Sequence, residues 1–407
     1  MTFRAITPQS YYVATSVYVA LLILSPISYA LAESAQKKAP RMLEEVVVVA
    51  QKREQNMQDV PIAISAYSEQ NLFRMNINSA MDLARIEPSL NFQQGFSDFN
   101  SNFSMRGIGS MSFEGGVQPA VSVVLDGVPL IRVGEFQGDV GDIQRVEVLK
   151  GPQGTLFGRN ATGGAINVVR NRPGDEFEAV TELLATQDGE KTGKAVLSGP
   201  LTDSIGGRLL MFYRDQEGWL ENVFPGAPDD GERKALAIVG KLDVDITEDL
   251  NLLLTIDRNG SKSFCCAYQA SVVNNPAIRA ALGEDVIRDP FKINQDSPNR
   301  TETESTAITA EFNWTYDEDV VFTSVSSARD WQSLVNVDID GTPASATNTM
   351  DLNLVHIRRS NFNPNSDTDP PNNFYTKYFS QELRVAYSDE KFEWISGMFY
   401  LLSKDGV

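Results

Sequence analysis

The residues of this sequence whose types and spacing could do chemistry are the glycines of GPQGTLFGRNATGGAINVV, residues 151–169. A phosphate-binding loop needs a glycine turn ending in Lys-Ser or Lys-Thr at a helix start, so that backbone amides, lysine and hydroxyl surround phosphate and magnesium. Here Arg159 and Asn160 follow Gly158, so neither the lysine nor the hydroxyl is in place. A dinucleotide-binding turn opens a helix, whereas AINVV after Gly164 is a β-branched run that predicts a strand. The glycines therefore predict turns and close backbone packing.

Other reactive side chains also give little support to catalysis. His356 is the sole histidine, so the sequence indicates no Ser-His or Cys-His catalytic pair. Cys265 and Cys266 are the only cysteines and are adjacent, a spacing that gives neither a disulfide framework nor a zinc site. We interpret them as two thiols or a strained disulfide in an exposed loop. We expect no enzyme activity, cofactor or metal ion; a secreted hydrolase or nucleotide enzyme is the alternative from another class.

The net charge and the N-terminal segment limit which partners and which cellular compartment the sequence predicts. The formal net charge of −19 argues against nucleic acid, because binding phosphates needs clustered lysine and arginine. Residues 1–32 combine Arg4, the apolar run VYVALLIL and the small residues Ala30-Leu31-Ala32, which predicts a secretory signal peptide. A membrane anchor is the alternative. Residues 33–57 are interpreted as a polar leader that contains the β-branched run EEVVVVA. That run is either a buried strand or an extended segment that adds to a partner's sheet.

Residues 58–173 predict a small α+β domain. SAMDLARIEP, residues 79–88, predicts a helix with Ser79 as its N-cap and Pro88 after its end. Short strands are predicted around it, separated by glycine turns, in PIAISAY, FSMRGIG, AVSVVLDGVPL, IQRVEVLKG and AINVVRN.

Residues 174–407 predict a membrane β-barrel, because segments of alternating polarity have the length of tilted membrane-spanning strands. In one of them Leu236 and Ile238 share a face with Gly240, while Lys241 and Asp243 lie on the other face. Short polar links alternate with long ones at 217–233, 261–304 and 332–375, which favours an outer-membrane barrel over a soluble β-sandwich. The nine predicted strands are 177–187, 190–200, 205–216, 234–246, 249–260, 305–316, 320–331, 376–388 and 391–403.

From residue 44 onward the chain resembles the TonB-dependent outer-membrane receptors. EEVVVVAQKREQNMQDVPIAISAYS resembles their TonB-box region, and FSMRGIG, VVLDGVPL and IQRVEVLKGPQGTLFGRNATGGAINVVRNRP resemble successive signatures of their plug domain. The last stretch is the most specific. The resemblance implies a plug at 58–173 inside a barrel, of which residues 174–407 are the N-terminal part. It assigns the TonB box to Glu45, Val46, Val47, Val48, Val49 and Ala50.

The resemblance also implies turn residues and a lock in the plug, in which two plug arginines pair with barrel glutamates. Arg106 matches one arginine, whereas Lys150 stands at the second position and keeps the charge but not the bidentate fork. The glutamate partners are expected beyond the residues given. The lock and turn residues are Arg106, Gly107, Lys150, Gly151, Gly154, Gly158, Arg159, Gly163 and Gly164.

The family barrel has about 22 strands, so nine predicted strands lead us to expect a fragment or a truncated product. An open sheet edge in lipid would leave backbone groups unpaired. The function implied by the resemblance is TonB-energised import of a scarce extracellular ligand, most often a ferric siderophore, across the outer membrane of a Gram-negative bacterium. Partners implied are TonB with its inner-membrane energising complex, an iron chelate and outer-membrane lipid. Cobalamin, a saccharide or an aromatic compound is the alternative ligand. A passive porin would need neither plug nor TonB box.

Overall fold

The computed structural model describes the chain from residue 47 to 406 with gaps. The described residues are 47–49, 52–53, 55–58, 60–75, 77, 80–93, 95, 101–110, 117–136, 142–267, 276–296, 299–336, 342–343, 372–389 and 391–406. The predicted signal peptide, His356, Ser79 and the box residues Glu45, Val46 and Ala50 lie outside them. Within these ranges no helix is both long and apolar enough to cross a membrane.

The plug region is a small α+β unit built on a five-stranded mixed sheet. The strands of this region are β1 Val47–Val48, β2 Gln55–Asn56, β3 Ile64–Ser68, β4 Leu90–Gln93, β5 Asn102–Met105, β6 Ile108–Gly109, β7 Val121–Leu125, β8 Val128–Pro129, β9 Ile143–Lys150 and β10 Gly164–Arg170. In the five-stranded sheet, β10 pairs in parallel with β7 and antiparallel with β9, and the strand order is β3-β9-β10-β7-β8. Its helices are α1 Glu69–Arg74, α2 Ala80–Ile86, a 3-10 turn Val133–Phe136 and α3 Gly154–Phe157.

The plug has an apolar core on both faces of this sheet. In β9, Val146 and Val148 pack into one buried cluster, while Leu149 packs into the other. Successive side chains of a strand point to opposite faces, so the near-continuous apolar run of β9 supplies both clusters. Phe103 and Met105 of β5 are fully buried in the larger cluster. The plug therefore has a core of its own.

The second part of the chain is one antiparallel sheet of nine long strands, in which each strand pairs with the next along the chain apart from two short loop strands. Its strands are β11 Glu178–Ala185, β12 Glu190–Thr202, β13 Ile205–Gln216, β15 Arg233–Thr247, β16 Leu250–Phe264, β18 Arg300–Thr315, β19 Val320–Asn336, β20 Asn372–Ser388 and β21 Glu393–Gly406. All nine predicted strands are present. At the ends next to the short turns their bounds agree with the prediction within two residues, whereas several reach four or five residues farther at the other end.

The two faces of this sheet differ in polarity. On β15, Leu236, Ile238 and Leu242 are exposed on one face, while Lys241 is buried on the other against the plug. Near the short turns, exposed aromatic rings meet on the outward face: Trp314 and Phe322 stack with centroids 5.4 Å apart. Aromatic rings of this kind mark the membrane–water interface in outer-membrane barrels. The outward face is thus the lipid-facing one.

The long links at the opposite end pack together. The short strands β14 Glu221–Asn222 and β17 Lys292–Ile293 pair in parallel, which joins the link after β13 to the link after β16. The second of these links also holds α4 Pro276–Leu282 and α5 Glu284–Arg288. The Asn222 side chain donates to the Gln295 carbonyl and accepts from the Gln295 amide. We call residues 217–232 and 265–299, as far as they are described, the outer cap.

Candidate functional site: the plug–barrel interface

The glycine-rich stretch forms turns and close packing within the plug. Gly164 has a φ of +154° and is buried, and a Cβ there would lie 2.5 Å from the Leu149 carbonyl oxygen. Gly158 has a φ of +73° and faces the Phe399 ring of the barrel wall. Gly154 begins the single helical turn α3. The stretch thus has the packing role that its glycines predict.

Six charged side chains form a buried network between plug and barrel wall. The Arg170 guanidinium lies 2.7 Å from Asp126 and 3.5 Å from Asp257. The Lys241 ammonium lies 3.3 Å from Asp126. Because three positive and three negative groups are present, the charges balance within the site. We call these residues the interface network; they are Asp126, Glu135 and Arg170 of the plug and Lys241, Asp257 and Arg329 of the barrel wall.

Arg329 connects the two ends of the interface network. Its guanidinium lies 3.5 Å from Asp257 and 3.8 Å from Glu135. The Tyr378 hydroxyl of β20 donates to Glu135 at 2.9 Å. Paired and hydrogen-bonded ions tolerate burial, whereas removal of one partner leaves an uncompensated charge. The network therefore attaches the plug to three strands of the wall, β15, β16 and β19, and Tyr378 adds a contact to β20.

The pKa values of the two plug carboxyls of the network shift in opposite directions, although burial disfavours the anion in both. It raises the pKa of Glu135, and the nearby Arg329 guanidinium only partly offsets this. Burial also opposes ionisation of Asp126, but the Arg170 and Lys241 charges outweigh it and lower the Asp126 pKa. Asp126 is thus the firmly ionised anchor of the network.

Further ion pairs join the plug to the wall near the short turns. Arg208 of β13 donates to both oxygens of Asp142, at 2.8 and 2.6 Å. Arg172 lies 2.5 Å from Glu311 on β18 and 3.7 Å from Asp243 on β15. The sequence prediction did not single out these pairs or the interface network. Alternation did place Lys241 and Asp243 on the polar face, but the plug partners cannot be found from spacing alone.

The segment before the plug forms a short hairpin beside it. Val47–Val48 pairs antiparallel with Gln55–Asn56, and Val48 is fully buried. The Val49 amide donates to the Glu147 carboxylate at 2.7 Å. Glu147 is itself fully buried and accepts from Arg145 and Asn167. We call residues 47–56, where described, the N-terminal hairpin; an extended run held through main-chain bonds can exchange one strand partner for another.

Two basic side chains attach the N-terminal hairpin to the barrel wall. Lys52 lies 3.0 Å from Glu382 of β20, and Arg53 lies 2.8 Å from Glu393 of β21. The Lys52 ammonium also lies 5.1 Å from the centre of the Phe157 ring. Burial lowers the Lys52 pKa, and the neighbouring Glu382 opposes that shift. These contacts bring the predicted TonB-box region, the plug and the wall together at one place.

The two predicted lock residues lie apart from the interface network. Arg106 has a φ of +51° in the turn after β5, next to Gly107, and is exposed. The Lys150 ammonium lies 3.1 Å from Glu87 of the plug. Burial disfavours the Glu87 anion, but hydrogen bonds from Ser89 and Lys150 outweigh it and lower the Glu87 pKa to about 2. Pairing of either residue with a barrel glutamate stays a prediction. The remaining lock and turn residues, Gly151, Arg159 and Gly163, lie in the glycine-rich turns before β10.

In the outer cap, Cys265 and Cys266 are joined by a disulfide. The buried Asp230 carboxylate accepts from the Ala267 amide at 3.3 Å, directly after this pair. Burial raises the Asp230 pKa to about 7, against the effect of backbone amides that donate to it. In the part of the chain that the structure describes, no group of three or more His, Cys, Asp or Glu side chains is arranged to hold a metal ion.

Comparison with known proteins identifies the plug. The TonB-dependent Receptor Plug Domain family model matches residues 56–165. The chain is 30% identical to the pesticin receptor of Yersinia pestis over 175 residues. This alignment covers 43% of this chain and 26% of that protein. It is 28% identical over 207 residues to the ferripyoverdine receptor of Pseudomonas aeruginosa, covering 49% of this chain and 23% of that protein.

Solved structures share the fold of plug and barrel together. The ferric yersiniabactin uptake receptor FyuA from Yersinia pestis superimposes with a TM-score of 0.66 at 21% identity, covering 84% of this chain and 49% of that one. The aligned part thus spans about a quarter of the curated relatives and half of the solved receptor. The plug match identifies residues 56–165 as the plug domain of a TonB-dependent receptor, and the plug with its nine strands shares the fold of the solved outer-membrane receptor.

Proposed function

We propose that this protein takes up a scarce extracellular ligand across the outer membrane with energy from TonB, and that the ligand is a ferric siderophore. The observation that carries the proposal is a plug that has an apolar core of its own and is attached to the wall by ion pairs. A segment that forms a strand lies on the N-terminal side of this plug. A passive pore needs neither. The name of one relative, the ferripyoverdine receptor, supports the ligand class.

In this proposal residues 1–32 are the signal peptide, 33–57 the periplasmic leader, 58–173 the plug, and 174–407 part of the barrel. Residues 45–50 are the TonB box. The box pairs edgewise with TonB, and its main-chain bonds to the hairpin and to Glu147 have to open first. Proline lacks the amide that such pairing requires.

Uptake assays test the ligand class. The receptor gene is expressed in a strain that lacks its own siderophore and cobalamin receptors, and the cells are offered radiolabelled iron on several siderophores or labelled cobalamin. We expect energy-dependent accumulation of iron with at least one siderophore. Accumulation of cobalamin alone, or equal iron uptake with and without the energising complex, would contradict the proposal.

A proline substitution tests the TonB box separately from the ligand. Val47→Pro should abolish uptake and leave ligand binding at the cell surface intact, because only the strand pairing is lost. Val47→Thr is the matched control, since threonine is β-branched and keeps the amide. Equal uptake by the wild type and Val47→Pro would remove the box assignment.

A further inference from the structure

The lipid-facing side of the barrel sheet has an apolar groove across β12, β13, β15 and β16. Its volume is about 410 Å³, and its floor contains Gly199, Gly207 and Gly240. Gly199 pairs directly with Gly207 across two strands, and Gly240 pairs with Leu209 on the next. The groove exists because three outward positions on neighbouring strands lack side chains. Its apolar walls are Leu197, Leu201, Leu209, Leu242, Leu254 and Ile256.

Protein packing does not require glycine at every one of these positions. A Cβ at Gly207 would approach Leu201 to 2.9 Å, so that site is crowded. A Cβ at Gly240 would meet no heavy atom within 4 Å, and the backbone there has no positive φ. The space above Gly240 is therefore open for a molecule other than this chain.

The position of the groove in the membrane matches the path of an acyl chain. Gly207 lies three residues from the turn residue Ser204, and Gly240 lies seven residues from Thr247, the last residue of β15 before the next turn, both at the aromatic end of the sheet. At about 3.3 Å per residue, the groove runs between roughly 10 and 23 Å from those turns along the strands. It thus opens toward the periplasmic leaflet, which the aromatic girdle borders.

The turns below the groove carry acidic side chains. Asp203 lies between β12 and β13, and Glu248 and Asp249 lie between β15 and β16; all three are exposed. Between these turns and Gly240, the outward positions of the four strands, all described, hold no lysine or arginine. This end of the groove repels a purely anionic headgroup and attracts an ammonium group.

We propose that the groove binds one acyl chain of a zwitterionic aminophospholipid whose ammonium group lies at Asp203, Glu248 and Asp249. The apolar walls supply the free energy by removing methylene groups from contact with mobile lipid or detergent. The acidic turns select the headgroup. This lipid site is separate from the transport path, which lies on the other side of the sheet.

Lipid retained by the purified protein tests the site. The receptor is extracted from outer membranes in a mild detergent, and its bound lipids are identified by native mass spectrometry. We expect a retained phosphatidylethanolamine. Gly240→Leu should reduce it by about tenfold or more, since the new side chain displaces several methylene groups. Gly260→Leu is the matched control, because Gly260 lies outside the groove on the same face of the sheet and a Cβ there would have its nearest neighbour at 3.6 Å. This variant should retain the lipid.

A second readout begins with the wild-type protein, so that its first result does not depend on the fold of a variant. Phosphatidylethanolamine with a photoreactive acyl chain should crosslink in wild-type membranes to Leu242 or Leu254 of the groove. Neutralising Asp203, Glu248 and Asp249 to their amides should keep the acyl crosslink but remove the preference over phosphatidylglycerol. The proposal is overturned if Gly240→Leu retains as much lipid as Gly260→Leu, if the crosslinks fall evenly over the outward face, or if a phosphorylated glycolipid occupies the groove.

Discussion

The core of the plug and the interface between plug and barrel wall differ in the polarity of their side chains. The plug core is apolar and includes the fully buried Phe103, Met105 and Val148. The interface depends on charged pairs such as Arg170 with Asp126 and Arg208 with Asp142. An apolar core loses its stabilisation when it is opened to water, whereas charged groups regain hydration. Displacing the plug against the wall should therefore cost less free energy than unfolding it.

A cavity in the plug core should have the largest effect on stability. Phe103 is fully buried and packs edge-on against Phe92 at 5.2 Å between centroids. We expect Phe103→Ala to lower the free energy of unfolding of the plug by about 3–5 kcal/mol, through lost burial and the cavity left behind. Phe73→Ala is the control, because Phe73 is 73% exposed. Hydrogen exchange of β7, β9 and β10 measures the effect; equal protection in both variants would contradict a separate plug core.

Neutralising the centre of the interface network should have a smaller effect that is confined to the interface. Asp257 lies between Arg170 and Arg329, and each arginine keeps one other carboxylate when it is removed. We expect Asp257→Asn to cost about 1–3 kcal/mol, the usual penalty for a buried group that loses a partner. Exchange should rise in residues 126–136 but not in β9. Arg258→Gln, which breaks only the exposed pair with Glu304, should change little.

Weakening the contact that holds the N-terminal hairpin should have a local effect. Glu147→Gln keeps an oxygen acceptor for the Val49 amide but removes the charge that strengthens this bond. We expect a loss of about 1 kcal/mol, seen as roughly fivefold faster exchange of the hairpin amides. Glu176→Gln, the same change at an exposed position, is the control. Unchanged exchange in the hairpin would mean that Glu147 does not hold it.

The outer cap should respond to pH in the direction set by Asp230. Its pKa is about 7 in the fold, above the ordinary value of 3.8, because burial disfavours the anion. The folded cap therefore binds a proton more strongly than the unfolded one, and its stability should fall as pH rises from about 4 to about 7. Exchange protection of residues 219–221 and 265–267, corrected for the intrinsic rate, measures this. Asp230→Asn should remove the pH dependence, and an unchanged slope in that variant would assign it to another group.

The strands could be predicted largely because lipid imposes a regular pattern. Alternation and the short acidic turns placed β13 at 205–216, as observed. The same pattern missed the outer ends of β16 and β18, where Lys262 and Glu302 continue the strands beyond the apolar band. The extension is stabilised by ladder hydrogen bonds, which leave no signal in hydrophobicity.

The interface was harder to predict than the strands because its partners are far apart in the sequence. Arg170 and Asp257 are separated by 87 residues, and nothing in their spacing indicates that they meet. The turn glycines of residues 151–169 were easier to interpret, because the positive φ of Gly151 and Gly158 is a requirement of the local backbone. At Gly164 a side chain is excluded by the Leu149 carbonyl on the neighbouring strand β9 and by the Met105 side chain of β5.

A reversible tether between the N-terminal hairpin and the wall tests most directly the claim that polar contacts let this part of the molecule move. Lys52 and Glu382, which form the 3.0 Å pair, are both replaced by cysteine and joined with a short reducible thiol crosslinker in the intact receptor. We predict that the crosslinked receptor still binds its ligand but takes up none, and that reduction restores uptake. Lys52→Cys alone, treated identically, controls for the reagent and for Cys265 and Cys266. Full uptake by the crosslinked receptor would contradict the account, because import would then proceed with the hairpin fixed to the wall.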